Sequence, residues 1–141
     1  MLRFVSLYLR TNMQESAWVL SNIAAGSIEH KKLIFSSEAM PLLIHLLSTS
    51  PFDIKKEVAY TLANLCVSPS EGAGQPNIIL DHLVSLVKHG CLPGFINLVR
   101  SADIEGARLG LQFLEIVSKT YLFDLCDTCG FYFILDKLLP D

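Results

Sequence analysis

Two pairs of side chains in this sequence have the chemistry to hold an extended peptide. Trp18 is followed four residues later by Asn22, and Tyr60 is followed four residues later by Asn64. Residues i and i+4 share one face of a helix. An asparagine amide can donate to and accept from a peptide backbone, and an aromatic ring can hold the stem and charge of lysine or arginine. The pairs therefore predict a surface that binds basic peptides.

Acidic and small polar residues accompany these pairs. Glu15 and Glu57 each precede the aromatic residue by three positions. They lie near the same helix face, where their carboxylates would select positive charge. Ser21 adjoins the first asparagine and belongs to the predicted set. The complete predicted peptide-binding site consists of Glu15, Trp18, Ser21, Asn22, Glu57, Tyr60 and Asn64.

The aromatic residues have a second interpretation, as members of a hydrophobic core. Aromatic side chains at helical spacing usually pack inside a protein, and this alternative applies to both Trp18 and Tyr60. The asparagines at matched positions favour the peptide-binding interpretation, because two buried amides would each need hydrogen-bond partners.

The pairs recur at a fixed distance along the chain. Trp18 precedes Tyr60 by 42 residues, and Asn22 precedes Asn64 by the same number. A period of about 40–47 residues is typical of solenoid repeats built from two or three helices. Stacked repeats would set the long helices side by side and bring their pairs onto one shared surface.

A third copy of the long helix is predicted over 104–119, without the pair. It follows the second copy by 52 residues, and we attribute the extra length to a surface loop at 68–77, SPSEGAGQPN. Solenoids accept insertions at such turns. At this offset Gln112 and Ile116 stand where the second copy has its aromatic residue and its asparagine. We therefore expect two binding positions and not three.

We predict a single all-α domain over residues 1–141. Asn12 is expected to cap the first long helix, because a glutamate follows it three residues later. In the third long helix, Gly106 and Gly110 are expected to destabilise the helix by roughly 1 kcal/mol each relative to alanine. Shorter helices are expected at about 30–36, 41–48, 78–88 and 93–100. The domain divides into four predicted segments. Residues 1–26 are the end of a partial repeat, 27–67 a repeat, 68–118 a repeat with the loop insertion, and 119–141 a second partial repeat.

Composition limits the classes of function. Hydrophobic residues make up 51% of the chain and charged residues 18%, which suits part of a longer helical stack better than a free domain. The net charge of −3 argues against nucleic-acid binding, which needs a basic surface. No apolar run is long enough to span a membrane. Four cysteines without a secretory signal suggest reduced thiols in the cytosol or nucleus.

Other reactive side chains do not form a recognisable site. Cys126 and Cys129 are spaced as CxxC, but a zinc site needs four ligands and no second pair is suitably spaced. No nucleophile–base arrangement stands out, and the loop lacks the spacing of a phosphate-binding motif. We predict no enzyme activity, no metal and no cofactor. The lysine pairs Lys31–Lys32 and Lys55–Lys56 are expected at solvated helix ends.

Three segments together resemble the armadillo repeats of the importin-alpha family. They are WVLSNIAAG, FDIKKEVAYTLANL and HGCLPGFINLV. The hallmark of that family is a tryptophan followed after three residues by an asparagine on the third helix of a repeat, as at Trp18 and Asn22. Tyr60 and Asn64 keep a weakened form of it. The resemblance is greatest to the C-terminal repeats, and it covers about residues 14–117.

The resemblance implies a fold and a set of partners. The fold is an armadillo-repeat α-solenoid, a right-handed superhelix of three-helix repeats. The function is that of a nuclear import adaptor binding basic nuclear localisation signal peptides in the minor-site region of a concave groove. A nuclear export receptor would bind through the C-terminal repeats, and the localisation would be cytoplasm and nucleus. No segment resembles the basic one with which the family binds importin-beta. The alternative is an armadillo scaffold for protein interactions without working signal-peptide binding.

Self-association through apolar repeat faces is expected from the composition and from the incomplete first and last repeats. Solenoid repeats need neighbours or capping repeats to cover such faces. Analytical ultracentrifugation at increasing concentration should therefore reveal species larger than a monomer. A clean monomer at high concentration would contradict this expectation.

Overall fold

A computed structural model describes residues 2–68 and 77–121, with side chains from residue 11 onward. Within these ranges the chain forms helices joined by short turns, and one pair of very short strands. The helices are α1 (Leu2–Ala24), α2 (Ile28–Phe35), α3 (Ala39–Thr49), α4 (Phe52–Leu65), α5 (Leu80–Lys88), α6 (Leu92–Val99) and α7 (Ile104–Lys119). The strands are β1 (Val67–Ser68) and β2 (Asn77–Ile78).

The long helices stack in chain order. α4 is the middle one, because it packs against both α1 and α7. In each unit the preceding helix supports the long one, α3 packing on α4 and α6 on α7, and α3 also contacts α6. The predicted all-α solenoid is therefore confirmed. In the part of the chain that is described, no helix has the length and apolarity needed to cross a membrane.

The hydrophobic core runs continuously through the stack. α4 is buried on most of its surface because it has a long helix as a neighbour on two sides, and Val58, Leu62 and Leu65 are fully buried. Between α6 and α7 the rings of Phe95 and Phe113 stack with their centres 3.8 Å apart. Burying a side chain of this size contributes roughly 1.5–3 kcal/mol, so the stacking of repeats is driven mainly by this core.

Helix ends follow from local sequence signals. α7 begins after Asp103, whose carboxylate accepts a hydrogen bond from the backbone N–H of Gly106 at 2.8 Å, a typical N-cap. The predicted bounds of this helix agree with the observed Ile104–Lys119. Gly90 has a φ of 89° just beyond α5, a conformation that glycine adopts without strain. It ends that helix as predicted.

The first long helix differs from its prediction. α1 runs without interruption from Leu2 to Ala24, so Asn12 lies inside the helix and is not its cap. The segment contains neither glycine nor proline. Extending an existing helix is favourable residue by residue, and a capping residue alone does not stop it.

The predicted loop at 68–77 is closed at its base by a feature that was not predicted. β1 and β2 pair antiparallel, with Val67 opposite Ile78 and Ser68 opposite Asn77. The N–H of Ile79 also donates to the carbonyl of Cys66 at 2.8 Å. Residues 69–76 lie outside the described part of the chain. So does most of the predicted final partial repeat, including Cys126 and Cys129.

The glycines of α7 permit close helix packing, a role that the sequence analysis missed. A Cβ at Gly110 would lie 2.7 Å from the backbone oxygen of Phe95 and 2.8 Å from Cγ2 of Val99. Both atoms belong to α6, and the first cannot move without moving its helix. Gly110 therefore lowers helix propensity but allows α6 and α7 to approach.

The Gly110→Ala variant tests this role. Alanine favours a helix by about 1 kcal/mol over glycine, but overpacking a close contact costs about 1–3 kcal/mol. We expect a net decrease in the free energy of unfolding, measured by urea denaturation followed by circular dichroism. Gln112→Ala, at an exposed position of the same helix, is the control and should change stability by less than about 0.5 kcal/mol. A Gly110→Ala protein as stable as the unaltered chain would contradict the assignment.

Candidate functional site

Trp18 and Asn22 lie on the solvent-facing side of α1. Trp18 is 58% exposed, so its ring is not part of the core. Asn22 is also exposed, and its Nδ2 donates to the backbone oxygen of Trp18 at 2.9 Å. That bond uses one of the two amide N–H groups. The ring and the amide are thus displayed one helical turn apart, as the spacing predicts.

Tyr60 and Asn64 occupy the matching positions on α4, and both are half-buried. The hydroxyl of Tyr60 donates to Oε1 of Glu105 at 2.7 Å. This hydrogen bond is the main cause that raises the pKa of Tyr60, with desolvation second. The tyrosine is therefore held neutral, and its ring is tied to the first turn of α7.

A hydrogen bond joins α1 to α4 close to the two aromatic–asparagine pairs. The Oγ of Ser21 lies 2.7 Å from the backbone oxygen of Trp18 and 3.2 Å from Oε2 of Glu57. Ser21 is buried and has one hydrogen to share between these acceptors. Ser21 therefore positions α1 against α4. Glu15, the other predicted acidic residue, is exposed on α1.

A buried lysine joins the far ends of the same two helices. Lys31 of α2 is 2% exposed, and its Nζ donates to the backbone oxygens of Ala24 at 2.5 Å and Asn64 at 2.7 Å. Both acceptors lie in last turns, where the helix dipole favours a cation. Burial lowers the pKa of Lys31. The prediction that Lys31 is solvated is wrong, because α2 packs across both helix ends.

A cluster of charges joins α4 to α7 beside Tyr60. The Nζ of Lys56 lies 3.3 Å from Oδ2 of Asp103 and 3.3 Å from Oε2 of Glu105. It also lies 5.5 Å from the centre of the Phe52 ring. The Lys56 side chain is 23% exposed, so it is partly solvated as predicted, but its pairing with α7 was not predicted.

The pKa shifts in this cluster favour its charged form. Desolvation acts against the charge of Lys56, but hydrogen bonds to Glu105 and Asp103 raise its pKa. The hydrogen bond from Tyr60, followed by that from Lys56, lowers the pKa of Glu105. The backbone N–H of Gly106 and then Lys56 lower the pKa of Asp103. Near neutral pH one ammonium therefore faces two carboxylates.

Sequence reasoning missed these lysines, although each has a signal. Lys56 precedes Tyr60 by four residues, which puts it on the same helix face. Lys31 precedes the buried Ile34 by three residues, which puts it on the packed face of α2. The acidic partners of Lys56 could not be assigned, because they are 47 and 49 residues away along the chain.

The third long helix carries no aromatic–asparagine pair at the corresponding positions. Gln112 is exposed and Ile116 is half-buried at the corresponding positions of α7. This helix contributes acidic groups to the surface through Asp103 and Glu105. The observed surface thus combines two aromatic–amide pairs with carboxylates from three successive long helices.

His82 and the two described cysteines have structural surroundings. His82 is buried, its Nδ1 lies 2.7 Å from the backbone oxygen of Leu65, and its ring stacks on Phe35 at 3.9 Å. Cys66 and Cys91 are free and buried, and burial raises the pKa of Cys91 to about 12. Across residues 2–68 and 77–121, no group of three potential ligands is placed to hold a metal ion.

Comparisons with known proteins agree with this architecture. The family model "Armadillo/beta-catenin-like repeat" matches residues 27–67. Importin subunit alpha-2 of Oryza sativa subsp. japonica is 61% identical over 112 residues, 79% of this chain and 21% of the relative. Importin subunit alpha-9 of Arabidopsis thaliana is 68% identical over 110 residues, 78% of this chain and 21% of the relative.

Among solved structures, a designed armadillo repeat protein in complex with the peptide (KR)4 has a TM-score of 0.56 and 17% sequence identity. The similarity covers 89% of this chain and 57% of that one. At this identity the match supports the fold alone.

Fold and comparisons together define an armadillo-repeat protein. Within that class, the resemblance to the importin-alpha family is confirmed by relatives that match most of the chain. The chain spans about a fifth of the length of these curated relatives.

The contribution of the buried Lys31 ammonium to stability can be tested by comparison with the adjacent Lys32. Lys31→Met leaves two helix-end carbonyls without their donor, and we expect it to lower the free energy of unfolding by about 1–3 kcal/mol. Lys32→Met makes the same change of charge at an exposed position and should shift stability by less than about 0.5 kcal/mol. Urea denaturation of both variants gives the comparison. Equal effects of the two substitutions would rule out a specific role for Lys31.

Proposed function

We propose that this chain is the peptide-binding part of an importin-alpha-like nuclear import adaptor. The peptide it holds is a basic nuclear localisation signal, in extended form, along the surface of α1 and α4. This is the role expected of the minor-site region, with the protein acting between cytoplasm and nucleus. The observation that carries the proposal is the exposed Trp18–Asn22 pair, held in register with Tyr60 and Asn64.

Two contacts support that register. The Ser21–Glu57 hydrogen bond joins α1 to α4 next to the aromatic residues. Lys31 joins the same helices at their C-terminal ends, through the oxygens of Ala24 and Asn64. The pairs are therefore fixed relative to each other before a peptide arrives, which reduces the entropy lost on binding.

The spacing suits an extended chain. Packed helices lie about 8–10 Å apart, and an extended peptide advances about 3.3 Å per residue. One step from α1 to α4 thus corresponds to roughly three peptide residues. Asn22 and Asn64 would bond the peptide backbone, and Trp18 and Tyr60 would hold the stems of its basic side chains.

The charge of the surface suits a basic ligand. Glu15 is exposed on α1, and Glu57 lies beside the second aromatic residue on α4. Carboxylates at these positions would attract lysine or arginine and speed the encounter, with a strong dependence on ionic strength. The names of the relatives, which are importin alpha subunits, support the same class of partner.

A second candidate function is an interaction scaffold whose groove does not bind signal peptides. One observation favours it: Tyr60 already donates to Glu105, and α7 has no aromatic–asparagine pair to extend the surface. In that case partners would bind elsewhere on the solenoid. The two candidates differ in whether the asparagine pair contributes to binding.

The test uses Trp18, the only tryptophan of the chain, as a fluorescence reporter. Titration with the peptide (KR)4 at low salt should change its emission in a saturable way. Asn22→Ala combined with Asn64→Ala removes two backbone contacts at about 1 kcal/mol each, which corresponds to roughly 30-fold weaker binding. Asn97→Ala, at an exposed position of α6, is the matched control and should leave the dissociation constant unchanged.

Circular dichroism should confirm that the double variant keeps its helix content. A flat titration of the unaltered chain would remove the peptide-binding function. Binding by the asparagine double variant as tight as that of the unaltered chain would favour the scaffold. An acidic peptide of the same length gives the electrostatic control and should produce no saturable change.

A further inference from the structure

We propose that Lys56 closes the α7 end of the peptide-binding surface by occupying, from within the chain, a cation position formed by Asp103 and Glu105 beside Tyr60. We call this position the α7 subsite and define it by Phe52, Asp103 and Glu105. A lysine or arginine of a bound peptide is the ligand that it would otherwise take. The inference rests on the function proposed above and concerns the extent of the peptide.

The chemistry of the α7 subsite is that of a lysine-binding site. The ammonium of Lys56 lies 3.3 Å from one carboxylate oxygen of Asp103 and 3.3 Å from one of Glu105. The same ammonium lies over the ring of Phe52, with Nζ 5.5 Å from the ring centre. Two carboxylates and an aromatic face are the groups that would bind a cationic side chain from another chain.

The subsite adjoins the second aromatic position of the peptide-binding surface. Lys56, Tyr60 and Asn64 follow one another at intervals of four along α4, so they share one helix face. Glu105 connects the two positions directly. Its Oε1 accepts from the Tyr60 hydroxyl at 2.7 Å, and its Oε2 accepts from Lys56 at 3.3 Å.

The corresponding position of α1 shows the contrast. At the repeat offset of 42 residues, Lys56 aligns with Gln14, which is neutral and exposed. From residue 11 onward, where the side chains of α1 are described, this helix has no cationic residue, so a peptide cation at the Trp18 position would meet Glu15 without a competing lysine at position 14. At the Tyr60 position, a peptide cation that moves toward α7 meets Lys56, whose charge repels it.

The consequence is a limit on peptide length. A basic residue can enter the α7 subsite only by displacing Lys56 from both carboxylates. Exposed ion pairs of this kind are individually weak, so displacement is feasible but lowers the net gain from a third basic residue. Removing the charge of Lys56 should leave Asp103 and Glu105 free to bind that residue.

The experiment compares two adjacent lysines at equal net charge. Binding of the peptide (KR)4 is measured by Trp18 emission for the unaltered chain, for Lys56→Met and for Lys55→Met. Methionine keeps an unbranched apolar stem on Phe52. We expect Lys56→Met to tighten binding about tenfold, and Lys55→Met by less than about twofold, because only the first frees a pair of carboxylates.

A second background shows whether the gain comes from the α7 subsite. Asp103→Asn with Glu105→Gln removes both charges, and asparagine keeps the N-cap acceptor for Gly106. In this background Lys56→Met should no longer tighten binding. Lys56→Gln gives the same test if Lys56→Met reduces the helix content seen by circular dichroism.

Each outcome decides the inference. Equal gains from Lys55→Met and Lys56→Met, or a gain that survives in the carboxamide background, would overturn it and leave the proposed function in place. The inference would also be overturned if the unaltered chain binds the peptide and Lys56→Met leaves its affinity unchanged. Binding by Lys56→Met alone would support it, with Lys56 then blocking the surface in the unaltered chain. If neither binds, the proposed function fails and the inference fails with it.

Discussion

One buried ammonium joins the C-terminal ends of the two helices that carry the aromatic–asparagine pairs. Lys31 reaches from α2 to the last-turn carbonyls of both α1 and α4, where unpaired backbone oxygens and helix dipoles concentrate negative charge. Removing a charge from water costs desolvation free energy, which well-placed hydrogen-bond partners must offset. This contact therefore tolerates little displacement of either helix. Together with the Ser21–Glu57 hydrogen bond and the hydrophobic core, it fixes the position of α1 against α4.

The acidic residues of this solenoid serve the stack as well as the surface. Glu57 on α4 accepts from Ser21 of the preceding long helix. Glu105 on α7 likewise accepts from Tyr60 and Lys56 of the helix before it. Both α4 and α7 thus contact the preceding long helix through a carboxylate. A peptide that uses these carboxylates competes with contacts that already exist, most of all at Glu105.

Close backbone approach is the second constraint on the stack. Gly110 brings α7 against the backbone of α6, and the stacked rings of Phe95 and Phe113 fill the interface beside it. The same helix carries Asp103 and Glu105 at its first turn. α7 therefore packs on α6 along one part of its length and pairs with Lys56 of α4 at its first turn. Structural glycines and surface charges act together here, although they lie on different faces of the helix.

The sequence by itself determined what depends on local spacing. The 42-residue repeat, the two aromatic–asparagine pairs, the bounds of α7 and the stop at Gly90 follow from helical periodicity and from residue types at helix ends. The predicted break at Asn12 shows the limit of such signals, because a capping residue alone does not end a helix in a segment without glycine or proline.

Only the tertiary structure decided which polar residues are exposed. Lys31 and Lys32 are adjacent and alike in sequence, yet one is buried and the other solvated. Lys56 differs from a solvated lysine through carboxylates 47 and 49 residues away. Ser21 and Glu57, like Lys31 and Asn64, meet across 36 and 33 residues. Such contacts depend on the angle and distance at which helices pack, and no local pattern contains either.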